Sequence, residues 1–446
     1  MPRSQTSKPS RPAPRPLPSA QTTAANMEPA AIPVAVVTRR AADRLHAGHP
    51  WVYSTDVAAW LPARDASEVP PGALAELRDM RGASMGTALY SSTSMIALRK
   101  VSNAALTTRA EFLALFAERL RRAIALRKEI LSANEPTNAC RLVFSEADEL
   151  PGIILDRYGD LYILQLLTQA THADDVRAAV VETVRDAFPP AAIACIVERP
   201  DPRIRELEQL GPSPSAPLFA RDPGQEQRST FFQLNGLDFF YDADSGQKTG
   251  AFLDQRENYA AAAQHAHGRA LDICTYQGGF ALHLARVCAQ VTGVDASRSA
   301  LEVAERNQMR NADRLMEQGR GVEWIEANAF DLLRDWSDAG QRFGTIVLDP
   351  PAFAKSKRAA ESALRGYKEM NLRAFKMLEP GGTLVTCSCS HHVSLADFTS
   401  AVAAAAADAG RRVRVIETRG AALDHPHILT IPETHYLKFL LCRVES

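Results

Sequence analysis

From residue 33 onward the apolar positions recur with two different periods, and the switches between them divide the chain. "VAVV" at 34–37 reads as a short strand and "RRAADRLHAGH" at 39–49 as a helical turn or two. "ALAELRDMRGASMGTALY" alternates apolar and polar on both sides of Asp79 to Gly82, the pattern of a hairpin, and "MIALRKV" supplies a further strand. These predict a small β-rich unit ending near Ser102. "RAEFLALFAERLRRAIALRKEIL" spaces its apolar residues by three and four, predicting a helix packed along one side. Arg121, Arg122, Arg127 and Lys128 are expected on its solvated face, with contact to RNA phosphates as the sharper alternative. "LVFSEADELPGIILDRYGDLYILQLL" then predicts a strand, an acidic turn, a strand, a turn at Tyr158 to Asp160 and a third strand. A helix follows His172, a strand lies in "AIACIVER", and "LGPSPSAPLF" is a surface loop.

Beyond residue 230 strands and helices alternate, which predicts an α/β fold, a parallel sheet covered by helices on both faces. "RALDIC" is its first strand, followed by "TYQGGFALHLARVC", a glycine turn entering a helix. "VTGVD", "VEWIEA" and "FGTIVLD" are the second to fourth strands, and "EPGGTLVTCSC" is a helix stop, a turn and the fifth. The expected organisation is a tail over 1–32, a β-rich domain over 33–105, a middle α/β domain over 106–230 and a larger α/β domain over 231–446.

Composition changes this picture only at its edges. Apolar residues make up 46% and charged residues 23% of 446 residues, ordinary for a globular chain with several cores. No apolar run reaches the ~18 to 20 residues of a membrane span. Seven scattered cysteines do not form a disulfide framework, so reduced thiols and a cytoplasmic setting are expected. The net charge of −1 conceals an asymmetry, because residues 1–135 carry 18 basic against 11 acidic side chains. A basic front end suggests a polyanion contact there; a solvated surface of accidental sign is the plainer reading. The Pro, Ser and Thr-rich start has too few large apolar side chains for a core and is expected to be disordered, with Met27 an alternative start.

The candidate chemistry gathers where the predicted strands end, which is where ligands bind in open α/β sheets. The Gly278 and Gly279 turn is expected to let backbone approach a ligand, and Asp295 lies at a spacing from Asp272 suited to ribose hydroxyls. "DICTYQGGF" lacks the first glycines of a dinucleotide fingerprint, so no phosphate cradle is evident. S-adenosylmethionine has no phosphates and needs none. In "LDPPAF" two prolines stiffen a loop that aims Asp349 and backbone carbonyls into the cleft, with Phe353 able to stack on a flat ring. "TLVTCSCSHHV" brings Cys387, Cys389, His391 and His392 together. Metal spacing is poor and a disulfide two residues apart in a strand is geometrically unfavourable, which leaves packing or nucleophilic chemistry.

"HAGHPWVYS", "SEADELPGIILDRYGD", "KTGAFLDQREN", "LDICTYQGGFALHLA", "LDPPAFAKSK", "RGYKEMN", "LEPGGTLVTCSCS", "DHP" and "PETHYLK" occur in this order, and as a set they are specific. From about residue 33 to the end the chain resembles bacterial large-subunit ribosomal RNA cytosine-5 methyltransferases that carry an N-terminal PUA domain. The resemblance implies a PUA-like RNA-binding domain, a middle α/β domain and a class I Rossmann-like domain that uses S-adenosylmethionine on 23S ribosomal RNA. It implies cofactor contacts from Phe252, Asp254, Gln255, Arg256, Asp272, Gly278, Gly279, Phe280, Asp295, Asn328 and Asp349. Substrate contacts would come from Pro350, Pro351 and Phe353, and no metal is implied. It departs from the family at Asn328, where an Asp is usual, and in having two cysteines rather than one. Aligned on the following serine, the family's cysteine falls on Cys389, so Cys389 and Asp349 are the expected catalytic pair and Cys387 is expected to be mainly packing.

A cysteine suits such a reaction. Carbon 5 of cytosine is a poor nucleophile until a thiolate adds to carbon 6, and Asp349 can hydrogen-bond the ring nitrogen and exocyclic amine as the adduct forms. Two alternatives stay open: an exocyclic-amine methyltransferase that needs no cysteine, and an RNA-binding assembly factor whose methyltransferase fold is inactive. Ribosomal RNA is the expected partner and a membrane is not, while the sequence leaves monomer and homodimer open.

Overall fold

The computed structural model describes residues 31–64, 66–131, 136–244, 250–315, 321–354 and 356–445. The tail expected over 1–32 therefore lies outside the described residues except for its last two, as do Met27 and Lys248, Thr249 and Lys355 of the quoted motifs.

The described residues separate into two compact units, divided between Glu111 and Phe112. In the first, β1 (Val34–Val37), β2 (Trp51–Tyr53), β3 (Val57–Leu61), β4 (Leu74–Arg78), β5 (Ser84–Tyr90) and β6 (Ile96–Ser102) form one sheet in the order β2-β6-β5-β4-β1-β3. The helix Arg39–His46 closes one face and buries Ala41, Ala42 and Leu45. Two of its three arginines, Arg40 and Arg44, each place Nη2 2.7 Å from the buried Asp56 carboxylate, pinning the turn that leads into β3. The β4–β5 hairpin turns at Asp79, whose Oδ1 accepts the backbone N–H groups of Arg81 and Ala83. The sequence reading missed β2 and β3, which are too short to show an alternation.

The second unit opens on the helix Arg109–Leu131 and a sheet of β7 (Ala139–Phe144), β8 (Ile153–Tyr158), β9 (Leu161–Leu166), β10 (Cys195–Glu198) and β11 (Phe219–Ala220), in the order β11-β10-β9-β8-β7. Next comes a hairpin, β12 (Ser229–Leu234) and β13 (Leu237–Asp242), which spans the boundary expected at 231. Its Asn235 and Gly236 both have positive φ, 51° and 78°, as a two-residue hairpin turn requires. That Asn-Gly pair was the signal to read.

The last sheet holds β14 (Arg269–Ile273), β15 (Gln290–Asp295), β16 (Val322–Glu326), β17 (Phe343–Leu348), β18 (Leu378–Ser388), β19 (Val413–Arg419) and β20 (Lys438–Val444), in the order β16-β15-β14-β17-β18-β20-β19. β14 to β18 are parallel, and β20 runs against β18 and β19. The strand order reverses between β14 and β17, and in open α/β sheets ligands bind outside the carboxyl ends of the strands at such a reversal. One face is covered by the helices Arg256–His265 and Gly279–Leu284. There Val347, Val385, Phe439 and Phe280 share a continuous core with Phe232 and Phe239 of the hairpin and with Tyr158 and Ile163 of the five-stranded sheet. On the other face Phe375 and Phe398 pack on Ile346 and Leu384.

One residue departs from the expected solvated helix face. Arg127 is fully buried, with Nη2 2.7 Å from Asp148 Oδ2 and 3.1 Å from the Asp424 carbonyl. Its last-turn position places it over β7 and the Ser145–Asp148 turn rather than toward water, so it serves as a cross-link and not as an RNA contact. Replacing Arg127 with Met strands a buried carboxylate at Asp148. The variant is expected to lose about 3–5 kcal/mol of stability, visible as a lower urea midpoint, whereas an unchanged midpoint would contradict this role.

Candidate active site

Asp272, near the end of β14, is wholly buried and its Oδ2 accepts from Thr275 Oγ1 at 2.5 Å and from the Ala281 N–H at 2.9 Å. These bonds clamp the β14-to-helix loop, which needs clamping because Cys274 (φ 63°), Tyr276 (φ 52°) and Gly278 (φ 85°) are all left-handed. A non-glycine residue enters that region at a cost of order 1–3 kcal/mol. The Asp295 carboxylate holds the other side of the loop, accepting the Tyr276 N–H at 2.9 Å and the Ser297 N–H at 2.9 Å. The expected roles of the glycines gain a different cause here. A Cβ on Gly278 would lie 2.7 Å from the Trp324 ring, and one on Gly279 2.5 Å from Tyr259, so both are small because aromatic rings of the protein press on them. Phe280 is buried beneath, edge-on to Tyr259.

Across the switch point, Asp349 follows β17 and its Oδ2 accepts from Gln255 Nε2 at 2.9 Å. Gln255 is itself fixed, because its Oε1 accepts from Asn258 Nδ2 at 2.7 Å and Asn258 in turn accepts from Arg419 Nε at 3.0 Å. Asp254 next to it accepts from the Tyr436 hydroxyl. Pro350 is buried, Pro351 exposed, and the Phe353 ring lies 4.8 Å from Tyr367 and 5.9 Å from Phe330.

The β18 strand delivers the cysteines. Leu348 pairs with Thr386, so Asp349 and Cys387 leave neighbouring strands side by side. Cys387 is wholly buried beside Asp349, where its thiol can act on the carboxylate as a donor. Burial first, then the nearby Asp349, push this thiol far above its usual range, so it remains an S–H donor. Cys389 lies just past the strand end and is half-buried. Around it the Tyr367 hydroxyl lies 2.9 Å from Ser390 Oγ and accepts from Ser388 Oγ at 3.0 Å, and Lys438 Nζ donates to the Ser390 carbonyl at 2.6 Å. His391 and His392 are exposed, and the His391 ring stacks 5.5 Å from Tyr436.

Not all expected contacts converge. Arg256 is buried and committed, with Nη2 2.9 Å from Glu257 and Nη1 3.3 Å from Asp424. Asn328 is exposed and caps the helix Ala329–Asp338, its Oδ1 accepting from Phe330 and Asp331. Phe252 meets the Tyr276 ring at 5.0 Å. Asn258, Tyr436 and Lys438 were missed; the last two lie in "PETHYLK", which was quoted without roles. Among the described residues none of Asp254, Asp272, Asp295 and Asp349 pairs with an Arg or Lys, and Asp272 Oδ1 is buried without a partner. A crevice with four unpaired acids and an orphaned acceptor suits a cationic ligand and repels a phosphate. The residues present thus fit S-adenosylmethionine, which carries a sulfonium and an ammonium.

A family model described as PUA-like domain matches residues 35–103, and one described as S-adenosylmethionine-dependent methyltransferase matches residues 224–428. The ribosomal RNA large subunit methyltransferase I of Klebsiella pneumoniae (strain 342) is 36% identical over 401 residues, 89% of this chain and 94% of that one. Its namesake from Escherichia coli (strain SMS-3-5) is 35% identical over 402 residues, 89% and 95% of the two chains. Among solved structures, SMU.776, described as a methyltransferase and complexed with SAH, aligns with a TM-score of 0.74 at 17% identity, covering 92% of this chain and 99% of its own. A chain from Streptococcus mutans described as a SAM-dependent methyltransferase aligns with a TM-score of 0.73, also at 17% identity and with the same coverage.

The acids of the crevice carry a stability cost with a definite sign. Burial pushes the Asp272 carboxyl up to about 7, with Asp295 adding to the rise and the Thr275 and Ala281 hydrogen bonds opposing it. Between the ordinary value of 3.8 and about 7 the folded chain holds a proton that the unfolded chain has released. Stability therefore falls as pH rises through that window and stays low above it. Asp272→Asn should stabilise the protein more at pH 8 than at pH 4.5, by on the order of 2–4 kcal/mol. Urea titrations at both values that differ from wild type by the same amount would refute the assignment.

Proposed function

Because this chain belongs to the ribosomal RNA large subunit methyltransferase I family, we propose that it methylates carbon 5 of a cytosine in 23S ribosomal RNA, through a transient covalent bond to Cys389. Bound S-adenosylmethionine supplies an electrophilic sulfonium methyl. Asp272, Asp295 and the loop between Ile273 and Gly279 would hold it, with the paired rings of Phe252 and Tyr276 as a wall. The observation that carries the reading is the meeting, at the switch point of the sheet, of the Asp349 carboxyl with the end of the strand that bears Cys389.

The chain's own groups divide the work. Burial, reinforced by Asp254 and Asp272, raises the Asp349 carboxyl to about 7 despite the opposing Gln255 and Cys387 hydrogen bonds. A carboxyl poised there can donate its proton to the cytosine ring nitrogen while its other oxygen accepts from the exocyclic amine. That draws electron density from carbon 6 as the Cys389 thiolate adds. Gln255 and Cys387 keep the carboxyl oriented, and the stiff Asp349-Pro350-Pro351 turn fixes its reach. The half-buried Phe353 face offers a stacking surface for a base taken out of its helix. The PUA-like unit contributes affinity for RNA, in keeping with the basic excess of residues 1–135. The setting is the cytoplasm, where ribosomal subunits assemble; no described helix is long and apolar enough to cross a membrane.

RNA with 5-fluorocytosine at the target should trap the enzyme, because fluorine replaces the proton whose loss frees the thiolate. The adduct should form with wild type and with Cys387→Ala but not with Cys389→Ala, which should still bind S-adenosylmethionine in a calorimeter. Cys387→Ala should keep activity at a reduced rate, since Asp349 loses one orienting donor. Trapping that depends on Cys387 would reassign the nucleophile. An N-methyl nucleoside in the product, formed without either cysteine, would replace the covalent scheme with amine methylation.

A further inference from the structure

Lys438 is 4% exposed, and among the described residues no carboxylate lies within ion-pair distance of its ammonium. A buried cation without an anion is costly enough that such groups are found paired or neutralised. The position of Lys438 suggests the missing anion. It pairs with Ser388, one residue before Cys389, and its Nζ reaches the carbonyl of Ser390, one residue after it, so the ammonium lies beside the backbone that carries Cys389. Nζ donates to the carbonyls of Ser390 at 2.6 Å and Tyr436 at 2.7 Å. An ammonium has three N–H groups, so these two carbonyls fix its direction and leave one donor. The acidic side chain on the backbone between Ser388 and Ser390 is the Cys389 thiol.

We propose that Lys438 is the positioning residue of the nucleophile: an ammonium held by two carbonyls so that it faces Cys389 Sγ and keeps it as thiolate. The proposal rests on Cys389 being the nucleophile. The titratable neighbours of the pair are Tyr367 from the helix Ala360–Met377, Cys387 on β18, and Tyr436 and His435 from the segment before β20. Burial raises both tyrosines and Cys387 and lowers His435, so all four are neutral near pH 7 and none of them offers the ammonium a charge. Burial also brings Lys438 down to about 8 while Cys389 draws it back up, as a thiolate partner would.

The chemistry balances with Lys438 keeping its proton throughout. Sγ adds as thiolate to carbon 6 of cytosine, and the carbon 5–carbon 6 π pair becomes the bond from carbon 5 to the incoming methyl, whose bond to the sulfonium breaks with its pair left on the neutral thioether. Solvent water then takes the carbon 5 proton, the C–H pair restores the double bond, and the S–C6 bond breaks with its pair to return the thiolate opposite the ammonium. In this scheme Lys438 stabilises the nucleophile before addition and the leaving group after it.

The test is the pH dependence of Cys389 alkylation by iodoacetamide in the full-length protein without RNA, followed at the level of the Cys389 peptide. Lys438→Met, an apolar replacement of similar length, should move the midpoint up by about one unit or more, while Lys438→Arg should keep it near the wild-type value. Methylation by Lys438→Met should fall at least tenfold at pH 7 and partly recover at pH 9, with S-adenosylmethionine affinity unchanged. Should Lys438→Met fail to fold, Lys438→Gln carries the same measurement. A folded variant without the ammonium that keeps the wild-type midpoint overturns the proposal. A 5-fluorocytosine adduct that persists in Cys389→Ala would instead overturn the nucleophile assignment, so the two failures are read separately.

Discussion

The geometry of the site depends on a buried set of arginine–carboxylate contacts centred on Asp424. Its Oδ2 accepts the Arg141 N–H at 2.8 Å and faces Arg256 Nη1 at 3.3 Å, while its carbonyl accepts from Arg127. Burial alone would raise this carboxyl, but His425, Arg256 and the Arg141 N–H outweigh it and bring it down to about 2. Arg141 also binds Asp156 with Nε and Nη2, at 2.8 and 2.9 Å, and so carries the network into β8. The helix Arg109–Leu131, the five-stranded sheet, the Leu253–Gln255 turn and the loop before β20 thus meet at one point. Two of these carry the site: Gln255 orients Asp349, and the last loop brings Tyr436 to Asp254 and Lys438 to Cys389. A buried ion pair is weak evidence for stability, but it penalises any other arrangement of its members, which is what a site assembled from distant segments requires.

Most of the architecture was legible because most of the parallel strands are apolar runs, and two of them, β15 and β17, run straight into an acid. Asp295 and Asp349 could be placed from that pattern, while Asp272 lies inside β14. What could not be read was the direction of polar side chains on helices. Arg127 looked like its neighbours Arg121, Arg122 and Lys128, and only the fold puts Asp148 and the Asp424 carbonyl over it. Arg256 and Asn328 likewise have residue types that suit a ligand, yet one is taken up by Asp424 and the other by a helix end. Short strands escaped for another reason. Trp51–Tyr53 offers three residues, too few for a period, and its place at the edge of the first sheet comes from pairing with β6.

The two cysteines show how far position outweighs residue type. Cys387 and Cys389 are separated by one serine, yet the first is inside the sheet beside a carboxyl and the second is beyond its end beside an ammonium. Beside Asp349 a thiolate would face a like charge in a water-poor place, so Cys387 stays protonated and acts as a donor. Beside Lys438 the same ionisation relieves an unpaired cation. The strand end separates an environment that suppresses the thiolate from one that favours it.

The same sorting of charge governs the whole crevice. Four unpaired acids gather where a cationic cofactor would sit, and one buried lysine stands where an anionic nucleophile would form. In the chain alone both arrangements are unfavourable, because burial lifts Asp272 and Asp349 toward neutrality and lowers Lys438. Each penalty is relieved when the reaction's own charges arrive: the sulfonium among the acids, the thiolate against the ammonium. Binding energy is then largest for the charged, loaded state and smallest for the empty one, so the site favours the cofactor as sulfonium and the nucleophile as thiolate. The Arg–Asp network makes this tolerable, since segments that would otherwise relax to separate like charges are held by contacts placed outside the crevice.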